Sequence, residues 1–324
     1  MRKSPVIAIV SLSMMASQSH AAQKGFSGEL SIMTGFTSSE SNFNTDNPIK
    51  TDSLTSDVDA EQDWLVIPLG QLRYNFGSNA NQELFLGTSR ADIIQGVAAL
   101  EVGYKYWLRD RSFLAVSVLP TIMKSETWAD PFLVNESRQT TDESGNAYRF
   151  QYENIVGTGL NADIGYYTKD IDNELSGSGY SESVANQLQR EGYGLYSKLS
   201  WTIYAGPGTF IQPGVRRNAY SAEGDAQSST LWGYSLTLIR RSNQHFLALT
   251  ADYTQTDFDT VHSIFGETRD DTQLGATAVY QYNNLMGYQN LAANVLITYS
   301  DLDSNLVFYD KKTLFSAVGL TLKF

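Results

Sequence analysis

From residue 26 onward the chain is a succession of segments in which an apolar or aromatic residue alternates with a small, polar or charged one. "GELSIMTGF", "VAALEVGYKYWL", "YGLYSKLSWTIY", "TLWGYSLTLI" and "QNLAANVLITYSD" are examples, each alternating for about ten residues. A period of two puts one set of side chains on each face of a sheet. One face here is oily and rich in tyrosine, and the other is rich in Gly, Ala and Ser with scattered charges. That combination fits transmembrane β-strands better than a soluble sandwich.

The pattern predicts strands near 26–37, 63–76, 82–93, 97–108, 112–125, 146–156, 160–172, 191–204, 209–222, 229–241, 244–256, 269–283, 287–301 and 312–324. The stretch 148–167 would read as one long strand, but Gly157-Thr158-Gly159 supplies the backbone freedom of a tight turn and divides it. The total is then even, as a single-chain bacterial barrel requires. Connections alternate as well. Those at Asp110, Gly157, 205–208, Ser242-Asn243 and Asn284 are short, and those between them are mostly long. The expected fold is a 14-stranded antiparallel transmembrane β-barrel with short periplasmic turns and longer external loops. Tyr74, Phe76, Tyr104, Tyr106, Trp232, Tyr234, Tyr280 and Tyr282 sit near strand ends, where aromatic girdles belong.

The two ends of the chain agree with this reading. Met1-Arg2-Lys3, a short apolar run from Pro5 to Met15 and Ser19-His20-Ala21 have the layout of a secretory signal. Residues 1–21 are therefore expected to be removed and 22–324 to form the barrel. The final strand ends on Phe324 with no polar tail. Closure onto the first strand would remove its free edge, and a terminal aromatic is similar to the C-terminal signal that such barrels present to their insertion machinery. Outer-membrane lipids and lipopolysaccharide are the other expected partners.

Charge refines the picture. Segments 38–62, 94–96, 126–145, 173–190, 223–228, 257–268 and 302–311, taken as external loops, hold 20 Asp and Glu against 4 Lys and Arg. The remaining mature chain has 15 acids and 17 bases. An acidic exterior disfavours nucleic acid and reads first as a solvated surface. Alternation turns Glu29, Arg73, Arg90, Glu101, Lys105, Arg149, Glu153, Asp163, Lys198, Arg216 and Asp252 inward. Ionisable groups inside a membrane protein line water or pair with one another, so these residues form either a pore lining or a closed network of ion pairs.

Other chemistry finds little support. No cysteine is present, which excludes disulfides and thiolate chemistry. The runs beginning at Asp170 and Asp301 open like calcium loops, yet neither has glycine at its sixth position nor glutamate at its twelfth. Asp257, Asp259 and His262 share one loop, but no nucleophile signature accompanies them. No cofactor, metal or enzymatic activity is expected.

"GFSGELSIMTGFTSSESNFNTD", "ETWADPFLV", "SGNAYRFQYENIVGTG", "DIDNELSG", "IFGETRDDTQLG" and "DSNLVFYDKKTLFSAVGLTLKF" resemble a family of Gram-negative outer-membrane barrels described as a domain of unknown function. The last third, with Phe265-Gly266, 269–271, Ser304-Asn305 and Phe308-Tyr309, is also similar to the barrel of the surface lipoprotein assembly modifiers. Those proteins carry a helical repeat domain ahead of the barrel, whereas here the first strand begins almost at the expected cleavage site. The resemblance implies a barrel in the outer membrane and leaves its activity open. Two functions stand: a channel for small hydrophilic solutes, and a surface-interaction or lipoprotein-delivery barrel without its periplasmic domain.

Overall fold

The computed structural model describes residues 24–46, 48–50, 53–55, 58–88, 100–121 and 124–324. Its wall begins with β1 (Gly25–Ser41), β2 (Glu61–Phe76), β3 (Gln82–Thr88), β4 (Leu100–Trp107) and β5 (Phe113–Pro120). A hairpin of β6 (Ser125–Trp128) and β7 (Thr140–Ser144) then stands above it. The wall resumes with β8 (Asn146–Glu153), β9 (Leu160–Ile171), β10 (Gly192–Trp201), its continuation β11 (Ile203–Gly206), β12 (Thr209–Ala222) and β13 (Ser229–Ser242). It ends with β14 (His245–Val261), β15 (Thr268–Asn283), β16 (Leu291–Ser304) and β17 (Lys311–Lys323). β5 pairs directly with β8, and β10 and β11 both pair with β12. Among the described residues this makes a closed antiparallel barrel of 14 strands.

Closure joins β17 to β1 in one register, from Glu29 opposite Lys323 to Ser41 opposite Lys311. Beyond it, Gly28 and Phe324 exchange backbone hydrogen bonds of 2.8 and 3.0 Å. The terminal strand therefore keeps its N–H and C=O groups satisfied where lipid would offer no partner. Phe324 lies on the outer surface over Gly28, where a Cβ would come within 2.7 Å of the ring.

The outer surface is what a soluble protein could not tolerate. Phe26, Ile32, Trp64 and Val66 are each more than two-thirds exposed, part of an apolar belt far larger than ordinary surface patches. Near the short-turn end Phe26, Tyr74, Phe76 and Tyr104 follow one another across three strands at centroid distances of 4.7, 5.9 and 6.3 Å. This is part of the aromatic girdle read from the sequence.

Several boundaries differ from the periodicity. β1 and β14 run past residues 37 and 256, because polar pairs such as Glu40 opposite Lys312 and Thr256 opposite Asp271 continue the ladders above the oily belt. The segment 112–125 is broken: Pro120, which has no N–H to give, ends β5, and the chain restarts at Ser125 as the raised hairpin. Segment 126–145 is thus a structured hairpin instead of a plain loop. The division at Gly157 holds, with Asn154, Val156, Gly157 and Gly159 all at positive φ in the turn. Residues 1–21, Arg90 and the connection at 94–96 lie outside the described residues.

The register is testable. Val318 points to lipid and is about half exposed, so Val318→Arg should lower stability by about 2–4 kcal/mol if it sits near the midplane. The same change at inward Ser300 should lower it by less than about 1 kcal/mol. Equal losses of folded protein, read from heat-shifted electrophoretic migration, would contradict the register.

Candidate functional site

Alternation along the strands turns ten of the eleven singled-out residues to the inner face, Arg90 lying outside the described residues. They do not form one cluster. Glu29, Arg73 and Glu153 lie toward the short-turn end, where Arg73 donates through Nε to Gln71 at 2.7 Å. Lys105 pairs with Glu83 at 3.2 Å and approaches the rings of Phe85, Trp107 and Phe113. Glu83 belongs to the inner set although the sequence reading omitted it; its place two residues before inward Phe85 was the available signal.

The other six lie along a band running from β4 to β14. Arg149 grips Asp163, with Nη2 to Oδ2 at 2.6 Å and Nε to Oδ1 at 3.0 Å. Its Nη1 lies 3.6 Å from Glu101 Oε1, which also accepts from the Ser117 hydroxyl. Asp163 stands opposite Lys198, and Lys198 opposite Arg216. Asp252, two strands beyond Arg216, interacts with the charges of both Arg216 and Lys198. Acids and bases thus alternate around roughly half of the inner wall, with two cations adjacent at Lys198 and Arg216.

A second regularity concerns how these side chains lie. Inward glycines face inward large residues on the neighbouring strand: Gly233 opposite Arg216, Gly275 opposite Asp252, Gly194 opposite Tyr167, Gly103 opposite Phe85 and Gly319 opposite Met33. A Cβ on Gly233 would lie 2.7 Å from Arg216 Nε, and one on Gly275 would lie 2.6 Å from Asp252 Oδ1. The large side chains therefore lie down over missing side chains, along the wall instead of across the lumen.

Among the described residues, the inner face carries no charge through the middle of β16, β17, β1 and β2. Met33, Leu296 and Ala317 form a small core with Leu69, Val279 and Phe315. The polar groups between them satisfy one another: Ser31 and Thr321 share a 2.6 Å hydrogen bond, Asn294 donates to Thr321 at 2.6 Å, and Thr277 bonds Thr298 at 3.3 Å.

Above the long-connection end, six connections close into a cap around Leu54, Phe132, Leu188, Ala226, Phe308 and Tyr309, with Phe43 and Phe265 packed against them. Fully buried Trp128 donates to the Asn42 carbonyl at 3.2 Å under the Arg138 guanidinium. Buried Arg190 binds Glu174 at 2.8 Å and the Trp128 carbonyl at 2.6 Å. The long loops are thus acidic outside but folded on an apolar interior. The cap also separates the loop residues considered for catalysis. His262 is fully buried; its Nδ1 accepts from the Ile264 N–H at 3.3 Å, so Nε2 donates to the Tyr309 hydroxyl at 2.7 Å. Asp257 and Asp259 lie exposed along β14, and no hydrogen bond joins them to the imidazole. Among the described residues no group of acids and histidines is placed to hold a metal ion.

With this geometry in view, the family is identified by a match over residues 25–323 to the model described as protein of unknown function, DUF2860. The chain belongs to that family. No curated protein matches it. Among solved structures it is similar to the TodX monoaromatic hydrocarbon channel deltaS2 mutant, at 10% identity and a TM-score of 0.52 over 94% of this chain and 91% of that one. It is also similar to OpdQ of Pseudomonas aeruginosa, at 10% identity and a TM-score of 0.40 over 92% and 98%. The outer membrane channel DcaP of Acinetobacter baumannii matches at 10% identity and 0.42 over 94% and 100%. The chain has the fold of the outer-membrane β-barrels.

Two predictions arise from this site. Removing the guanidinium that bridges two buried carboxylates takes a charge partner from both, so Arg149→Ala should destabilise the barrel by about 3–5 kcal/mol, and Glu101→Gln in the same chain should recover part of that loss; denaturation midpoints measure both. The second concerns pH. Burial, then the nearby Arg269 charge, push the His262 pKa down to about 4 from its ordinary 6.5. An opened cap therefore binds the proton more readily than a closed one, and closure is strongest above pH 6.5 and weakens as pH falls toward 4, by on the order of 3 kcal/mol. Protease cleavage of the external loops should accelerate across that window, and His262→Phe should flatten the dependence.

Proposed function

We propose that this barrel is a passive outer-membrane channel for small hydrophilic solutes, restricted at its outer mouth by the folded cap. The observation that carries the reading is the pairing of large inward residues with inward glycines. A scaffold filled for rigidity would interlock its long side chains across the lumen. Here Arg216, Asp252 and Met33 lie over inward glycines, which supports a bore left open along its axis, at the cost of five strand glycines that weaken the sheet. Fourteen strands also enclose more space than the roughly eight whose side chains fill the interior.

Acidic loop residues give the mouth a preference against anions. Such charges are screened over about 8 Å at physiological ionic strength, so the preference weakens as salt rises. The second reading, a surface-interaction or lipoprotein-delivery barrel, draws on the same cap, since a folded external surface suits a protein partner.

Planar-bilayer recording separates the two. Purified barrel should show stepwise conductance, and deletion of residues 43–59, which removes Phe43 and Leu54 from the cap, should raise it at least twofold and reduce cation preference. Gly233→Val should lower conductance in a folded barrel by lifting Arg216 into the bore. No conductance before or after the deletion would favour the surface-interaction reading.

A further inference from the structure

The outer face of the wall is not uniform. Val116, Phe150, Ile164, Ser197, Arg217 and Trp232 stand opposite one another in a single cross-strand row through β5, β8, β9, β10, β12 and β13. The first three, with Val102, Tyr166 and Leu195, border a groove of about 480 Å³ in the lipid-facing surface. The row descends toward the short turns. Arg217 is the ninth residue of β12, Ile164 the fifth of β9 and Val116 the fourth of β5, each counted from the short-turn end. From Arg217 to Val116 is four strand spacings, roughly 19 Å, long enough to follow a lipid tail through one leaflet's half of a hydrocarbon core about 30 Å thick.

The upper end of the row is charged. Arg217 shares the outward face of exposed Trp232, its guanidinium 6.0 Å from the ring centroid, and among the described residues it meets no carboxylate. Outward Lys312 differs, since it stands opposite Asp301 and Glu40. A charge on the lipid face costs stability unless it lies near the interface or gains a partner. A guanidinium suits a phosphate, which it can grip through two parallel N–H···O bonds, and an exposed indole beside it belongs at the headgroup level. Above Leu195, exposed Tyr193 packs 6.0 Å from the exposed ring of Tyr166, which adds two hydroxyls at the upper end of the groove.

We propose that this face binds lipopolysaccharide of the outer leaflet, with a phosphate at Arg217 beside Trp232 and one acyl chain running down the groove past Ile164 to Val116. A saccharide-bearing lipid is favoured over a phospholipid because Tyr166 and Tyr193 offer hydroxyls to a sugar. The site lies outside the bore, so it stands apart from the channel reading and from the acidic mouth.

Native mass spectrometry of the folded barrel in non-ionic detergent, titrated with purified lipids, tests the site. Bisphosphorylated lipid A, the acylated disaccharide anchor, should bind about tenfold or more tighter than lipid A freed of both phosphates, the scale of a charge-assisted hydrogen bond. Arg217→Gln should remove that difference and Arg217→Lys should keep most of it. Lys312→Gln, which takes an equal charge from the same face, should leave it unchanged. Ile164→Trp should fill the groove and weaken both forms of lipid A. If Arg217→Gln does not fold, Ile164→Trp decides, and unchanged binding there overturns the groove. Equal binding of the two lipid A forms, or a difference that survives Arg217→Gln, would reduce this face to ordinary lipid-covered wall and overturn the inference. Phosphatidylglycerol binding through Arg217 as tightly as bisphosphorylated lipid A would mark a phospholipid site and overturn the lipopolysaccharide assignment.

Discussion

Everything in this molecule depends on the hydrogen bonds between β17 and β1. A sheet in hydrocarbon cannot leave an edge, because each unpaired N–H or C=O would be stranded where nothing can bond it. The ladder from Glu29 opposite Lys323 to Ser41 opposite Lys311, extended by Gly28 and Phe324, joins the two edges that an open sheet of these strands would have. Once the ring is closed, inside and outside are fixed for every strand together. A one-residue slip of either strand at this seam would exchange Leu320 with Thr321 or Leu30 with Ser31, placing polar groups in lipid.

Closure also creates the problem that the inner glycines solve. Curving the sheet crowds the inward side chains, and a long residue on every strand would fill the bore. Arg216 over Gly233, Asp252 over Gly275 and Met33 over Gly319 relieve that crowding pair by pair. The same arrangement holds the charged groups close to one another, so the Glu101, Arg149 and Asp163 interactions form along the wall. The charge network along the wall is thus one result of that packing rule.

The cap obeys soluble-protein physics instead. Six connections bury Phe132, Leu188, Phe308 and Tyr309 in a common interior, and most of their acids face water, with Asp130 and Glu174 turned inside. Its polar groups are held by specific partners: Arg190 by Glu174 and the Trp128 carbonyl, and His262 by Tyr309. The wall is stabilised by lipid outside and paired strands within. The cap has its own small core, specific polar pairs and a neutral histidine, and acid weakens it through that histidine.

Alternation along the chain by itself determined the strand count and which positions share a face, as with Leu320 and Thr321, because side-chain direction in a strand follows from a period of two and needs no partner. It could not give depth or neighbours. That Arg149 meets Asp163, that Lys198 stands beside Arg216, and that Gly233 makes room for Arg216 all depend on inter-strand register, which couples residues far apart in the chain. The loops were hardest to read. Their acidic composition suggested solvated chain, while scattered aromatics such as Phe43, Trp128, Phe132 and Phe308 carry no period that would reveal a shared core. Only the ring, by bringing six distant connections over one mouth, decided that they would fold together.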